Sequence, residues 1–123
     1  WNLLHPDRPA RVPYVTQVLA DEPFPVVATG DYMKSVPDQI ARWVPGGLRP
    51  LGTDGFGRSE ARAELRDYFE IDARYTALAA LQELSRIGKF DRSKLAAAVE
   101  TLNINPDKLD PIAPPKPETL QES

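Results

Sequence analysis

The chain is divided by a loop of eight residues that is rich in glycine, Gly52-Thr53-Asp54-Gly55-Phe56-Gly57-Arg58-Ser59. Before this loop, strand-like and helix-like patterns alternate; after it, the patterns are helical as far as a proline-rich tail. Three glycines within eight residues are typical of a loop that needs unusual backbone angles or a close approach by another group. The loop therefore marks the point at which an α/β arrangement gives way to helices.

Two short strands are predicted before the loop. Residues 25–29 form an apolar, β-branched run that predicts a buried parallel strand, and residues 48–53 predict a second strand, which Pro50 limits to an edge or to a strand start. Helices are predicted over residues 13–20 and 37–44, each opened by a proline. Because two short strands do not make a stable sheet alone, we expect further strands from an N-terminal portion of the same protein. The missing initiator Met also suggests a cut chain.

Three longer helices are predicted after the loop. Ser59, Asp72 and Asp91 are their expected N-caps, and the helices end by residues 71, 87 and 102. Gly88 is a natural stop for the middle helix. The predicted buried stripe of the middle helix is Tyr75, Leu78, Ala79, Leu81, Gln82 and Leu84.

The end of the chain has a different composition. Asn105-Pro106 predicts one short helical turn, and residues 113–123 are polar and rich in proline, which predicts a disordered tail. We therefore expect one domain over residues 1–112.

Composition excludes several classes of protein. The chain has 123 residues, which fits one domain, and its net charge of -3 gives no basis for binding nucleic acid. There is no cysteine, so a disulfide framework and a thiolate zinc site are excluded, and a reducing cytosol is the expected compartment. No apolar run approaches the ~20 residues that span a membrane.

The glycine-rich loop has two interpretations. It matches the phosphate-loop pattern except that Arg58 replaces lysine, but Asp54 would place a carboxylate inside a cradle meant for phosphate. A structural or interface loop is therefore preferred, with Gly55 and Gly57 expected at positive φ. Arg58 is expected either to hold a carboxylate or carbonyl group at an interface or to pair with Asp54 or a helix end. The candidate loop residues are Asp54, Gly55, Phe56, Gly57, Arg58 and Ser59.

No catalytic set can be assembled from the residues alone, and no catalytic, cofactor-binding or metal-binding residue is predicted. His5 is the single histidine, which rules out a Ser-His-Asp triad within the chain. Most acidic residues stand at predicted helix starts, where capping explains them. The aromatic residues predicted to lie in the core or at subunit contacts are Trp1, Trp43, Tyr68, Phe69 and Tyr75.

Several blocks, in order and spacing, resemble the C-terminal end of the homodimeric bacterial pyruvate dehydrogenase family. The most specific block is residues 51–59, Leu-Gly-Thr-Asp-Gly-Phe-Gly-Arg-Ser. The others include Arg11-Val12-Pro13-Tyr14, Asp31-Tyr32-Met33, Val36-Pro37-Asp38-Gln39-Ile40, Tyr68-Phe69-Glu70-Ile71-Asp72 and Asn103-Ile104-Asn105-Pro106-Asp107-Lys108. The resemblance covers residues 1 to 112.

The resemblance implies a fold and a role. The fold would be α/β, part of a three-layer transketolase C-terminal-type domain with a mainly parallel sheet and a helix-rich C-terminal half. The parent enzyme would use thiamine diphosphate and magnesium, both bound in its other domains, to decarboxylate pyruvate and acetylate a lipoyl group. This chain would support dimer assembly. Its partners would be the rest of the parent chain, the second subunit of a homodimer and the dihydrolipoyl acetyltransferase core, with no nucleic acid and no membrane.

A different interpretation of the same residues is a stand-alone helical module without enzyme activity. It would dock a partner through its Ala-rich helices and its proline-rich tail. The sequence immediately before Trp1 distinguishes the two, because only the first interpretation requires an upstream thiamine-diphosphate domain.

Overall fold

The computed structural model describes residues 1–113 and places a small parallel sheet among short helices. The strands are β1 (Val26–Thr29) and β2 (Leu48–Leu51), and the helices are α1 (Tyr14–Val18), α2 (Ser35–Asp38), α3 (Arg62–Tyr68), α4 (Ala73–Arg86) and α5 (Leu95–Thr101). Two 3-10 turns, Ala41–Trp43 and Arg92–Lys94, complete the described elements. The predicted tail, from residue 114 onward, lies outside the described residues.

The two predicted strands are confirmed and they pair with each other, although β1, which was predicted to be buried, is only half-buried. They are parallel, with Val26 opposite Leu48 and Thr29 opposite Leu51. The pairing continues past both ends, since the Val26 N–H donates to Gly47 O (2.9 Å) and the Gly30 N–H donates to Leu51 O (3.0 Å). Within the described residues the sheet has two strands, so Pro50 stands on an edge strand, where its missing N–H is tolerated.

The long helix α4 forms as its sequence predicts at both ends. The Asp72 carboxylate accepts from the N–H groups of Arg74 (2.8 Å) and Tyr75 (3.3 Å), which are otherwise unpaired in the first turn. After α4, Gly88 adopts a φ of 76°, a conformation that glycine reaches without strain. The helix packs on both strands, and a Thr29–Thr76 hydroxyl contact of 3.0 Å joins it to β1.

Of the predicted buried stripe of α4, Tyr75 and Ala79 are buried and the three leucines are half-buried, but the prediction was wrong for Gln82. Gln82 is exposed, and the residue after it, Glu83, is buried instead. Tyr75, Ala79 and Glu83 share one face at intervals of four residues. A carboxylate on this face was not expected, but two arginines neutralise it, as described below.

Three other helix predictions need correction. Asp91 caps the 3-10 turn Arg92–Lys94 and not α5, which begins at Leu95 without a side-chain cap. The helix predicted over residues 37–44 is split into α2 and the turn Ala41–Trp43. After α2 the chain makes tighter i→i−3 hydrogen bonds, such as Trp43 N–H to Ile40 O (3.0 Å), and Pro45 holds the preceding Val44 in an extended conformation. Ser59 does not cap α3: the helix begins at Arg62, its N-cap position is Ala61, and no side chain caps it.

The core residues come from α4, the chain between α3 and α4, the segment after α5 and the residue after the turn Ala41–Trp43. Its buried apolar residues are Val44, Phe69, Ile71, Tyr75, Ala79 and Ile104. Phe69 and Tyr75 were correctly assigned to the core or to contacts, whereas Trp1 and Trp43 are more than a third exposed. Four large apolar side chains, those of Leu3, Leu4, Tyr14 and Phe56, are more than three-quarters exposed. A large part of the apolar surface therefore faces outward.

Candidate functional site

The candidate site is the glycine loop, residues 52–59, which leaves the carboxyl end of β2. Beside it lies the β1 loop, residues 30–34, which leaves the carboxyl end of β1. The strands are parallel, so both loops emerge from the same edge of the sheet. In open α/β sheets this edge is the usual position of binding and catalytic loops.

The first half of the glycine loop is fixed to the β1 loop by hydrogen bonds. The Thr53 N–H donates to Tyr32 O (3.0 Å), and the Thr53 hydroxyl donates to Asp31 O (3.2 Å). The Asp54 carboxylate accepts from the Lys34 N–H (3.0 Å). Asp54 thus anchors the two loops to each other, a role that the sequence pattern did not specify.

Gly52 is required by this contact between the loops. A Cβ at position 52 would lie 2.3 Å from Tyr32 O and 3.0 Å from Lys34 N, both backbone atoms. Distances this short exclude any side chain unless the β1 loop moves. The sequence marked this glycine as part of the loop but did not reveal the close approach.

The second half of the loop is exposed. Gly55 has a φ of 96°, which confirms the prediction for that residue, and a Cβ there would lie 2.6 Å from Pro111 O. The same prediction was wrong for Gly57, whose φ is not positive and whose added Cβ would meet nothing within 4 Å. Between them, the side chain of Phe56 is 95% exposed. The loop therefore presents an aromatic ring to its surroundings.

Arg58 does not pair with Asp54, contrary to one of its two predicted roles. Its guanidinium lies over the Tyr68 ring, 4.5 Å from the centroid, and 3.6 Å from the Glu60 carboxylate. Both the Arg58 and the Glu60 side chains are more than 40% exposed, so this ion pair contributes little to stability. Ser59 is also exposed. The guanidinium of Arg58 remains accessible to a group outside the described residues.

A groove of about 300 Å³ lies beside the loop, against α3. Its charged lining is balanced, since Asp31 and Glu60 face Arg62 and Arg66, and Arg66 pairs with Asp31 at 3.7 Å. A balanced lining gives no preference for a charged ligand.

A second polar cluster, centred on Arg74, was not predicted from the sequence. Its guanidinium donates to Asp72 from Nε (2.9 Å) and Nη2 (2.6 Å), to Asp67, and from Nη1 to Asn103 O (3.0 Å). The Tyr75 hydroxyl also donates to Asp67 (3.3 Å). These partners come from α3, α4 and the segment after α5, so no local pattern could have indicated the cluster. The cluster ties the three segments together.

The environment of this cluster changes two pKa values. Burial alone would raise the pKa of Asp72, but hydrogen bonds from the Arg74 side chain and from the Tyr75 and Arg74 N–H groups outweigh it and lower that pKa. For Tyr75, burial and then the negative charge of Asp67 raise the pKa to about 12. Asp72 is therefore held ionised and Tyr75 neutral at physiological pH.

Lys108 makes a third link, between the chain after α5 and the end of α3. Its ammonium donates to Tyr68 O (2.9 Å) and Leu109 O (3.1 Å) and pairs with Glu70 at 3.2 Å. The close approach of Pro111 O to Gly55 then brings the same segment against the glycine loop. We call residues 103–111 the C-terminal strap.

His5, the single histidine of the chain, makes local contacts. His5 Nδ1 lies 2.8 Å from Trp1 O, and its ring stacks on Trp1, which is a local turn contact. Within residues 1–113, no three histidine, aspartate or glutamate side chains come together as a group that could hold a metal ion. None of the helices in this part of the chain is long and apolar enough to cross a membrane.

Comparison with known proteins identifies the family. A family model described as the transketolase-like TK C-terminal domain matches residues 1–72. The chain belongs to this transketolase-like C-terminal domain family. The parallel strand pair with its helices is consistent with the α/β fold expected of the family, which confirms that part of the sequence prediction.

Individual relatives of this transketolase-like domain are pyruvate dehydrogenase E1 components. That of Haemophilus influenzae is 50% identical over 113 residues, which are 91% of this chain and 12% of the relative. That of Escherichia coli K12 is 48% identical over 112 residues, or 90% of this chain and 12% of the relative. That of Mycolicibacterium smegmatis is 50% identical over 104 residues, or 85% of this chain and 11% of the relative. The chain thus spans about an eighth of the length of these relatives, and the resemblance seen in the sequence is confirmed.

Proposed function

We propose that this chain is the C-terminal structural and dimerisation domain of a thiamine-diphosphate-dependent pyruvate dehydrogenase. The observation that carries the proposal is the 48–50% identity to E1 components over nine-tenths of the chain. The parent enzyme would decarboxylate pyruvate and reductively acetylate the lipoyl group of the acetyltransferase component in the cytoplasm. The chain alone would be non-catalytic.

The exposed apolar surface supports a role inside a larger assembly. Leu3, Leu4, Tyr14 and Phe56 each expose more than three-quarters of their surface, and the two-stranded sheet leaves an edge of β1 unpaired within residues 1–113. Open sheet edges and highly exposed large apolar side chains are features that a larger assembly can cover. In the proposal these surfaces pack against the remainder of the parent chain and the second subunit of the homodimer.

Within residues 1–113, the donor groups do not fit the cofactor of the proposed parent. Magnesium bound with a diphosphate needs carboxylate or carbonyl oxygens that converge on the ion. Asp54 accepts from the Lys34 N–H, and Asp67 and Asp72 bind Arg74. The proposal therefore places thiamine diphosphate and magnesium in the other domains, and the glycine loop serves as an interface or structural loop through residues 54–59.

Three measurements test the proposal. The full-length protein should release CO2 from pyruvate and acetylate a lipoyl domain, and a variant that lacks residues 1–123 should lose dimer assembly in sedimentation analysis. Residues 1–123 alone should show no calorimetric response to thiamine diphosphate with magnesium. Saturable micromolar binding by residues 1–123 would overturn the assignment of the cofactor to other domains.

The gene sequence upstream of Trp1 distinguishes the stand-alone module from this proposal. A reading frame that continues upstream of Trp1 into a thiamine-diphosphate domain supports the enzyme. A start codon immediately before Trp1 would instead favour the module, which would dock its partner through the Ala-rich helices and the proline-rich tail.

A further inference from the structure

A cavity at the C-terminal end of α4 has an unusual charge. It has a volume of about 540 Å³ and lies between β2, the last turns of α4 and the turn Arg92–Lys94. Its charged lining consists of Arg49, Arg86, Arg92 and Glu83. We call it the arginine cavity.

The arginine cavity carries a net charge of about +2, because three guanidinium groups face one carboxylate. Glu83 pairs with Arg86 Nε at 2.7 Å and with Arg49 Nη1 at 3.9 Å. Among residues 1–113, Arg92 has no carboxylate within 4.0 Å. The lining therefore contrasts with the groove beside the glycine loop, whose charges are balanced.

Glu83 and a backbone carbonyl hold one of these arginines, Arg86, in place. Arg86 donates from Nη2 to Gly46 O (3.0 Å) in addition to its bond with Glu83, and a Cβ at Gly47 would lie 3.0 Å from the same Nη2. Glu83 is itself buried on the face of α4 that meets the sheet. A guanidinium fixed in advance loses less conformational entropy when it binds a ligand.

We propose that the arginine cavity binds a dianionic phosphoryl group, either as free phosphate or as the phosphate monoester of a small metabolite. The planar guanidinium fork suits phosphate oxygens, and a dianion matches the net charge of the lining. Gln82 and Ser85 also line the cavity and supply neutral hydrogen-bond donors. This site is separate from the glycine loop and does not depend on the function proposed above.

Arg92 gives the sharpest test, since its loss breaks no ion pair within residues 1–113. The full-length protein, saturated with thiamine diphosphate and magnesium so that any cofactor pocket is filled, is titrated calorimetrically with inorganic phosphate at constant ionic strength. The control variant Arg8→Gln removes the same charge from the exposed N-terminal segment. We expect saturable binding by the wild type and by Arg8→Gln, and affinity at least about tenfold lower in Arg92→Gln.

The outcomes distinguish a specific phosphate site from nonspecific electrostatic attraction of phosphate to the protein. Absence of saturable binding, equal affinity in Arg92→Gln, or equal losses in both variants would overturn the proposal. Circular dichroism of Arg92→Gln is expected to match the wild type. A parallel titration with glycerol phosphate identifies the source: tighter binding than inorganic phosphate indicates a metabolite ester, and equal binding indicates recognition of the phosphoryl group alone. A protein that binds phosphate but does not act on pyruvate would refute the proposed function and leave this site standing.

Discussion

The three glycines of the glycine loop serve different purposes, although the sequence presents them as one motif. Gly52 lets the β1 loop approach to a distance that no side chain allows. Gly55 combines a positive φ with the close carbonyl of Pro111. Gly57 has neither constraint from the described residues. The loop can therefore be dissected by single substitutions, with Gly57 as an internal control.

Replacing Gly52 with alanine is expected to destabilise the protein. The added Cβ would lie 2.3 Å from Tyr32 O, a backbone atom that cannot turn away, so the hydrogen bonds of Thr53 and Asp54 to the β1 loop must shift. Forced repacking of this kind costs about 1–3 kcal/mol. Calorimetric melting of the full-length protein measures the loss. Gly57→Ala should stay within about 0.5 kcal/mol, and equal effects of the two substitutions would contradict the assigned geometry.

Gly55→Val and Gly57→Val should differ, although the sequence alone predicts harm from both. A β-branched residue at the φ of 96° of Gly55 costs at least about 1–2 kcal/mol, and its Cβ also meets Pro111 O. Gly57→Val meets no neighbour within residues 1–113. Melting temperature and dimer fraction of each variant provide the measurement. If Gly57→Val alone disrupts the dimer, the exposed side of the loop is a subunit contact.

Among the helices and strands, α4 is the element whose limits the sequence predicts best. Its cap, its buried face and its stop all lie within the helix or next to it, which is why Asp72 and Gly88 were predicted correctly. The ends of α3 and α5 were harder to predict. After these helices the chain turns at Glu70 (φ 62°) and Asn103 (φ 53°). Neither residue is the glycine that usually marks such a turn in a sequence.

Asp72 should contribute to stability in a way that depends on pH. Because its pKa is lowered in the folded protein, its stabilisation is present above the ordinary value of 3.8 and is lost as the pH falls through the folded value. Asp72→Ala removes cap and charge and is expected to cost about 0.5–2 kcal/mol at pH 7. Asp72→Asn keeps an oxygen for the cap and should cost less. The loss of stability caused by each substitution should be smaller at pH 3 than at pH 7. A loss that is larger at pH 3 would contradict the role of the charge.

A feature could be predicted from the sequence when the residues that determine it lie close together along the chain. Both strands and the Asp72 cap depend on residues within a few positions, and they were predicted correctly. The close approach at Gly52, the Arg74 cluster and the charge of the arginine cavity join segments that are 20 or more residues apart, so no local pattern contains them. The Ser59 cap failed for a related reason: an acceptable capping residue does not start a helix when the chain is still extended two residues later, at Ala61.

At the scale of the whole molecule, the C-terminal strap connects the core to the candidate loop. Asn103 accepts from Arg74, Ile104 is buried in the core, and Lys108 holds the end of α3. Pro111 then reaches Gly55 in the glycine loop. The strap thus couples the position of the loop to contacts that lie in the second half of the chain.

Lys108 is the residue on which this coupling depends most. Lys108→Met retains an apolar stem of similar length but removes the donors to Tyr68 O and Leu109 O and the partner of Glu70. The Lys108 side chain is only 16% exposed, so the loss of its charged hydrogen bonds is expected to cost about 1.5–3 kcal/mol. Limited proteolysis of the full-length protein should then cut the strap and the glycine loop faster, because both are released together. Lys94→Met, at an exposed position on a 3-10 turn, is the control and should leave the cleavage rate unchanged. Faster cleavage of the strap with no change at the glycine loop would show that the two segments are not coupled.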